Sequence, residues 1–328
     1  MSLAIHPKVL ATTYSDRVAK MVVAERTEPA EGIAGFVLAD PGGGDLPRWT
    51  PGAHIDVVIG DVVRQYSLCG DPADRKGWRI AVLREAGGRG GSARIHDTLR
   101  AGTTVEVRGP RNHFMLEEAP SYVFVAGGIG ITPIKAMVGE AEAAGADWRL
   151  YYGGRSMSTM AFTSELTATY GEKVTIVPED VEGRLDLAGI LSAPATGTLV
   201  YACGPEGLLA ALEDVCAPFP KGTLRTERFA PRDALFSDDD KPFEVTAEQS
   251  GVTVTVEPGR TILHALDEAG VMVFSSCEEG ICGTCETRVI AGTPDHRDSV
   301  LTDLDRERGD VMMICCSRAI SDSLVLDI

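Results

Sequence analysis

At 328 residues the chain exceeds one ordinary hydrophobic core, so two or three domains are expected. Its 31 basic against 48 acidic side chains leave a formal net charge of -17, which argues against nucleic acid and anionic membranes as partners and suits a basic protein partner better. The opening "MSLAIHPKVLATTYSDR" has no apolar core long enough for a secretory signal, and no run of about 18 apolar residues occurs, so a soluble, cytoplasmic protein is expected. In that reducing compartment the clustered ones among the eight cysteines are expected to hold metal or do redox work rather than form disulfides.

The first third alternates short apolar runs with Gly and Pro: "MVVAER", "GFVLAD", "HIDVVIG", "VVRQYSL", "WRIAVLRE" and "TTVEVRGP". Strands at such close spacing predict an antiparallel barrel or sandwich, with one short helix near "RIHDTLRAG". The pattern changes at Pro120. "YVFVAGG", "WRLYYGG", "KVTIVPED" and "TLVYACGP" read as strands, and "TPIKAMVGEAEAAGA", "FTSELTATYG" and "EGLLAALEDVCAPF" as helices. That alternation predicts a parallel sheet with covering helices. "APRDALFSDDDKP", residues 230–242, is polar, charged and Pro-bounded, and reads as a linker whose Asp238, Asp239 and Asp240 suit a segment that lets the next domain move. A hairpin at "FEVTAEQSGVTVTVEPG", a short helix "TILHALDEAG" and a cysteine loop follow. The expected boundaries are therefore 1–117, 118–229, a linker at 230–242, and 243–328.

The loop "SSCEEGICGTCETRVIAG" spaces Cys277, Cys282 and Cys285 as C-x4-C-x2-C, and "MMICCSRA" supplies the adjacent Cys315 and Cys316. Four soft thiolates are needed to hold two irons bridged by sulfides, and this spacing with a distant cysteine matches the plant-type [2Fe-2S] pattern. Zinc is the competing metal. Zinc ribbons usually bring two C-x2-C knuckles, whereas an adjacent pair on a strand would point to opposite faces. Gly280 and Gly283 fit a loop whose N–H groups turn inward toward sulfur.

Two further groups of residues have the chemistry of nucleotide binding. In "RQYSL", residues 64–68, Arg64 can pair with a phosphate, Tyr66 offers a ring edge and Ser67 a hydroxyl; in "GGRGGS", residues 87–92, Gly90, Gly91 and Ser92 can offer donors at a helix N-terminus. A hairpin turn and a packing tyrosine are the bland alternatives. "YVFVAGGIGITPIKAM" carries G-x-G-x-x-P from Gly128 through Gly130 to Pro133, departing from the dinucleotide fingerprint at its last position, and "YACGP" holds Cys203, which could be a plain core thiol.

Together, "RQYSL", "GGRGGS", the glycine turn, "YACGP", "TERFAP" and "CEEGICGTCETRVIAGTPDHRDSVL" with "MMICCSRA" resemble the phthalate dioxygenase reductase and vanillate demethylase reductase family over essentially the whole chain. The resemblance implies a multidomain fold: an antiparallel β-barrel binding FMN, an α/β parallel-sheet domain binding NAD(P)H, and an α+β ferredoxin-like (β-grasp) domain holding [2Fe-2S]. It implies that Arg64, Gln65, Tyr66, Ser67, Leu68, Gly90, Gly91 and Ser92 hold the flavin. Gly127, Gly128, Gly130, Thr132, Pro133, Arg155, Cys203, Gly204 and Pro205 would hold the pyridine nucleotide, and Cys277, Cys282, Cys285 and Cys315 the cluster. Ser67 near flavin N5, Cys203 beside the nicotinamide, Glu227 near N5 or the carboxamide and Phe229 over the ring take the catalytic places. NADH is expected, although Arg155 could accept a 2′-phosphate. Cys316 is expected to be a buried small hydrophobe.

The implied chain of carriers runs from NADH to FMN to [2Fe-2S] and out to a separate Rieske-type oxygenase. The six histidines, His6, His54, His96, His113, His264 and His296, are scattered singly and each is expected to be structural. Residues 243–328 hold 16 acidic and 6 basic side chains, a balance of -10 that suits docking to a basic patch, with solubility alone as the alternative. Three other readings stay open: a self-standing NADH-dependent reductase serving other acceptors, a redox-sensing regulator, and a zinc-stabilised binding module.

Overall fold

The computed structural model describes residues 18–60, 62–85, 87, 90–231 and 235–328. The N-terminal stretch with His6, Gly88 and Arg89 of the glycine loop, and residues 232–234 of the expected linker lie outside the described residues. Two compact units divide between Thr226 and Glu227.

The first unit opens with six strands: β1 (Val18–Ala30), β2 (Ile33–Ala39), β3 (His54–Ile59), β4 (Val62–Ser67), β5 (Trp78–Leu83) and β6 (Thr104–Arg111). They form one sheet in the order β4-β3-β6-β1-β2-β5 with antiparallel pairing throughout. Its terminal strands β4 and β5 approach each other, so the sheet curls into a barrel. Alternation drives the register: Met21, Val23, Phe36, Leu38, Ile55, Val57, Ile80 and Val82 point inward and are buried. The helix α1 (Gly91–Thr98) seats Ile95 in this core. A buried ion pair between Asp56 of β3 and Arg111 of β6 crosses the sheet, and Gln65 Nε2 donates to the same Asp56 carboxylate at 3.0 Å.

The chain then forms β7 (Ser121–Gly127), α2 (Ile131–Ala143), β8 (Asp147–Gly154), α3 (Thr163–Tyr170), β9 (Val174–Pro178), β10 (Thr198–Cys203), α4 (Glu206–Cys216) and β11 (Leu224–Glu227). The sheet order is β11-β10-β7-β8-β9, with β7 parallel to both β10 and β8, and β8 parallel to β9. Succession therefore reverses at β7: β8 and β9 go to one side, β10 and β11 to the other. In an open parallel sheet such a reversal leaves a crevice at the carboxyl ends of the two strands. The barrel and this layer share apolar packing, in which Ile33, Cys69 and Ala81 meet Ile131, Ile134, Met137 and Phe162.

The second unit holds β12 (Phe243–Ala247), β13 (Val252–Val256), α5 (Ile262–Glu268), β14 (Glu286–Ala291), β15 (Pro294–Asp295), α6 (Asp303–Arg308), β16 (Val311–Met313), β17 (Arg318–Ala319) and β18 (Ser323–Leu326). The order β13-β12-β18-β14-β16, with β12 parallel to β18 and the other pairs antiparallel, is that of a β-grasp sheet. Helix α5 lies against it, its N-terminus capped by Thr261, whose hydroxyl accepts from the His264 N–H at 3.1 Å.

Two residues within the expected linker are held by the second unit. Leu235 packs against the core of the second unit, and the Asp240 side chain, 2% exposed, is held by Arg297 at 2.6 Å and by Arg318 at 3.4 Å. A carboxylate that finds two guanidinium groups is pinned, so Asp240 belongs to the ferredoxin-like unit, whereas Asp238 and Asp239 are exposed as a linker requires. The rings of His54 and His113 lie 6.2 Å apart. His96 is structural, its Nε2 bonded to the Val82 carbonyl at 2.8 Å.

Candidate functional site

Strand β4 carries the "RQYS" residues paired against β3, so Arg64 and Tyr66 share one face and Gln65 and Ser67 the other. Gly91 is where the Arg64 side chain lies: a Cβ built on Gly91 would fall 2.5 Å from Arg64 Nε. Gly90, at φ +80°, is the N-cap of α1, and the helix begins at Gly91, three residues before the "RIHDTLRAG" stretch. Glycine makes this possible because the left-handed cap carries no Cβ penalty. Arg64 thus stands at the N-terminus of an eight-residue helix, a positive charge beside the backbone donors of its first turn, which is the chemistry that binds a phosphate. Ser92 already accepts from the Glu85 N–H at 3.1 Å, and Gln65 is engaged by Asp56, so these two side chains hold the loop and the strand in place. Burial pushes the Tyr66 phenol well above its usual range while Arg64 pulls the other way, so Tyr66 is neutral beside a cation.

The glycine turn closes against the end of β10. Gly130 allows a close backbone approach, since a Cβ there would lie 2.2 Å from the Cys203 carbonyl oxygen, and one on Gly127 would lie 2.7 Å from Pro205 Cδ. The parallel register sets Cys203 opposite Ala126, which brings "AGGIG" and "CGP" to one edge of the sheet, at the strand-order reversal. Helix α2 starts at Ile131, one residue before the expected Thr-Pro step. Pro133 still falls in the first turn, where its missing N–H costs no helical bond. Thr132, 2% exposed, donates its hydroxyl to the Ile129 carbonyl at 2.9 Å and braces the turn. Cys203 is fully buried, Arg155 is exposed past the end of β8, Glu227 ends β11, and Phe229 is 43% exposed.

The cysteine loop, residues 275–285, has neither helix nor strand, and Cys277, Cys282, Cys285 and Cys315 are all buried. The Cys277 sulfur accepts from the Glu279 N–H at 3.3 Å. Among the described residues no three of His, Cys, Asp and Glu converge where a single metal ion would sit. Four buried thiols spaced C-x4-C-x2-C with a distant cysteine suit two irons shared among ligand pairs better than one tetrahedral zinc. The interaction with Cys277 and burial push the Cys282 thiol up, so a cation beside that sulfur would favour its thiolate. Gly280, at φ +71°, lets the loop pass Cys316 and Asp298: a Cβ there would lie 2.6 Å from Cys316 Sγ and 3.1 Å from Asp298 Cα. The residues therefore fit a cluster. Cys315 and Cys316 lie on a turn after β16 and not on a strand, and both face inward, because the Cys316 and Ser317 N–H groups fold back onto the Met313 carbonyl at 3.3 and 3.0 Å. Cys316 Sγ points to that same carbonyl at 3.6 Å.

Sequence reasoning missed the polar groups that brace these sites. Asp298 accepts from the N–H groups of Val300 and Leu301 at 2.9 and 2.8 Å beneath the cysteine loop, and Lys135 and Glu165 link the barrel to the nucleotide layer. Asp298 sits in the quoted "HRDSV", but no spacing marks Lys135 or Glu165.

A barrel joined to an open parallel sheet with a nucleotide crevice, followed by a β-grasp unit with a buried cysteine quartet, defines an oxidoreductase of the iron–sulfur electron-transfer class. Residues 245–319 match the 2Fe-2S iron-sulfur cluster binding domain family. Over 303 residues the chain is 44% identical to phenoxybenzoate dioxygenase subunit beta of Ectopseudomonas oleovorans, covering 91% of this chain and 94% of the relative. It is 38% identical to the solved structure of phthalate dioxygenase reductase, described as modular for electron transfer from pyridine nucleotides to [2Fe-2S], at a TM-score of 0.70 over 95% of this chain and 98% of that one. A type IV self-sufficient cytochrome P450 monooxygenase is 47% identical at a TM-score of 0.90; the match covers 95% of this chain, which spans 41% of that longer protein. The chain belongs to the phthalate dioxygenase reductase family of oxygenase reductases.

Proposed function

We propose that the chain is the reductase component of an oxygenase system, taking electrons from NADH and delivering them to a separate Rieske-type oxygenase in the cytoplasm. The domains are an FMN barrel over 1–117, a nucleotide domain over 118–229, a connection at 230–242 and a ferredoxin domain over 243–328. Among the described residues no helix is long and apolar enough to cross a membrane. The buried quartet Cys277, Cys282, Cys285 and Cys315 carries this reading, because four thiolates at this spacing suit a cluster that takes one electron at a time. Bound FMN supplies the conversion of a two-electron hydride into single electrons, which the cluster accepts one at a time.

The protein's own work is binding and orientation. Arg64 and the start of α1, Gly90 to Ser92, hold the flavin phosphate, with Tyr66 and the backbone of Gln65 to Leu68 along the cofactor and Ser67 near the reacting edge. Gly127, Gly128, Gly130, Thr132 and Pro133 present the turn to the nucleotide pyrophosphate, and Arg155 meets the adenosine end. Cys203, Gly204 and Pro205 wall the nicotinamide. Glu227 and Phe229 take the carboxamide and ring-covering roles.

An anaerobic titration with NADH tests this, with absorption, electron paramagnetic resonance, and flavin and iron analysis on one sample. Joint bleaching of flavin and cluster with a rhombic reduced signal is expected; a colourless zinc protein would overturn it. A second reading is favoured by the 47% identity to part of a self-sufficient cytochrome P450 monooxygenase: a haem monooxygenase as the acceptor. Reoxidation of the reduced cluster by a Rieske protein or by a P450 separates the two.

A further inference from the structure

One residue ties the nucleotide turn to the flavin strand. Lys135 is the fifth residue of α2, the helix that grows out of the glycine turn, and its side chain is 12% exposed. Its Nζ donates to the Cys69 carbonyl at 3.1 Å. Cys69 directly follows "RQYSL", and it is itself fixed, its N–H donating to the Arg79 carbonyl of β5 at 2.8 Å. The same Nζ pairs with Glu165 Oε1 of α3 at 2.7 Å and lies 5.4 Å from the ring centroid of Phe162. From the barrel side, the Arg79 guanidinium lies 5.0 Å from that centroid and meets the other Glu165 oxygen at 3.3 Å. Two cations, one from each layer, thus hold one buried ring and share one carboxylate.

Phe162 has φ +66°, a left-handed conformation that costs a non-glycine residue about 1 to 2 kcal/mol. Strain of this kind persists where surrounding contacts over-determine a position, and such positions cluster at functional sites. Along the chain the clamp sits close to both half-sites: Lys135 is five residues beyond Gly130, and Cys69 two beyond Ser67.

We propose that Lys135 is a positioning residue for hydride transfer, fixing the helix behind the nucleotide turn to the strand that carries the flavin contacts. The inference rests on the functional reading above. In that reaction the C4–H bond of the dihydronicotinamide breaks, the hydride leaves with its electron pair, and the N5–H bond of the flavin forms. The rate depends steeply on alignment, and displacement by about 1 Å can cost on the order of a hundredfold.

The experiment compares Lys135→Met, Lys135→Arg and Glu165→Gln in the full chain with both cofactors bound. It follows flavin bleaching by NADH and by 4-deuterated NADH in stopped flow, and amide hydrogen exchange over residues 64–70 and 128–137. Lys135→Met is expected to slow hydride transfer about ten- to a hundredfold, with KM for NADH within threefold of wild type. Exchange in both segments should rise, and Lys135→Arg should regain most of the rate. Unchanged hydride transfer and exchange in Lys135→Met overturn the proposal, as does a change confined to KM. If Lys135→Met does not fold, Glu165→Gln decides, since Glu165 is 42% exposed: a severalfold slower transfer supports the proposal, and a wild-type rate refutes it. A wild-type chain whose flavin NADH does not bleach would overturn the functional reading itself, and the role of Lys135 with it.

Discussion

Replacing Asp240 with Ala tests whether the acidic connection is part of the ferredoxin-like unit. In the folded chain its carboxylate meets Arg297 at 2.6 and 3.1 Å, Arg318 at 3.4 Å and the Ser237 N–H at 3.2 Å. Stranding a buried charge by deleting its partner costs about 3 to 5 kcal/mol. Here the stranded cations keep other acceptors: Arg297 has Asp295 at 2.7 Å and the Leu235 carbonyl at 2.9 Å, and Arg318 has the Arg260 and Lys241 carbonyls at 2.7 and 3.0 Å. The expected loss is therefore lower, about 2 to 3 kcal/mol. For a unit of this size each kcal/mol moves the midpoint by about 4 to 8 °C, so a fall of roughly 10 to 20 °C is expected. Thermal bleaching of the cluster absorbance reads the second unit, flavin fluorescence reads the first, and Asp239→Ala, at an exposed neighbour, is the control. If the cluster in Asp240→Ala bleaches at the wild-type temperature, or if Asp239→Ala shifts it equally, the segment is a plain linker and the reasoning fails.

The same carboxylate sets a pH dependence. The Arg297 hydrogen bond holds Asp240 below its usual range, so its stabilisation is complete above the unfolded value of about 3.9 and is lost as pH falls through the lower folded value; the gap between wild type and Asp240→Ala in denaturant melts should close below about pH 4. Gly280→Ala places a Cβ against Cys316 and Asp298 at a positive φ, and should lower iron and sulfide per chain while leaving flavin content intact. Cys315→Ser should abolish the reduced-cluster resonance signal, and Cys316→Ser should retain it. Arg64→Ala removes a charge-assisted contact worth about 1.5 to 3 kcal/mol, so FMN affinity by fluorescence titration should fall roughly 10- to 100-fold.

Much of the fold was legible because its signals are local. Period-two alternation in "HIDVVIG" and "WRIAVLRE" makes strands regardless of their partners, and glycines at 128 and 280 mark turns that need a left-handed backbone or a close approach. What escaped depends on pairing across long separations. Asp240 reads as one of three solvated acids until Arg297 and Arg318 are brought to it, and Lys135 reads as the polar face of a helix until Cys69 lies beneath its ammonium. The Cys315 and Cys316 pair was misplaced for a smaller reason. β16 stops at Met313, and the turn that follows aims both thiols inward, which no alternation rule anticipates.

Strand order is the step that joins these levels. Either "AGGIG" or "ACGP" alone is a turn at the end of an apolar strand. They become one crevice because β10 returns to the opposite side of β7 from β8, with Cys203 in register with Ala126. Gly130 and Gly204 are then required at the contact, since a side chain on either would collide with the other segment's backbone. The barrel must also stay in register with that crevice, and here the sequence uses a half-buried lysine, a shared carboxylate and a strained phenylalanine, which tie Cys69 and Arg79 of the barrel to α2 and α3. A packing contact between two layers could be made by aliphatic side chains with no strain. Charged groups with fixed hydrogen-bond directions define an angle as well as a distance, and that is the demand hydride transfer makes on two rings held by different parts of the chain.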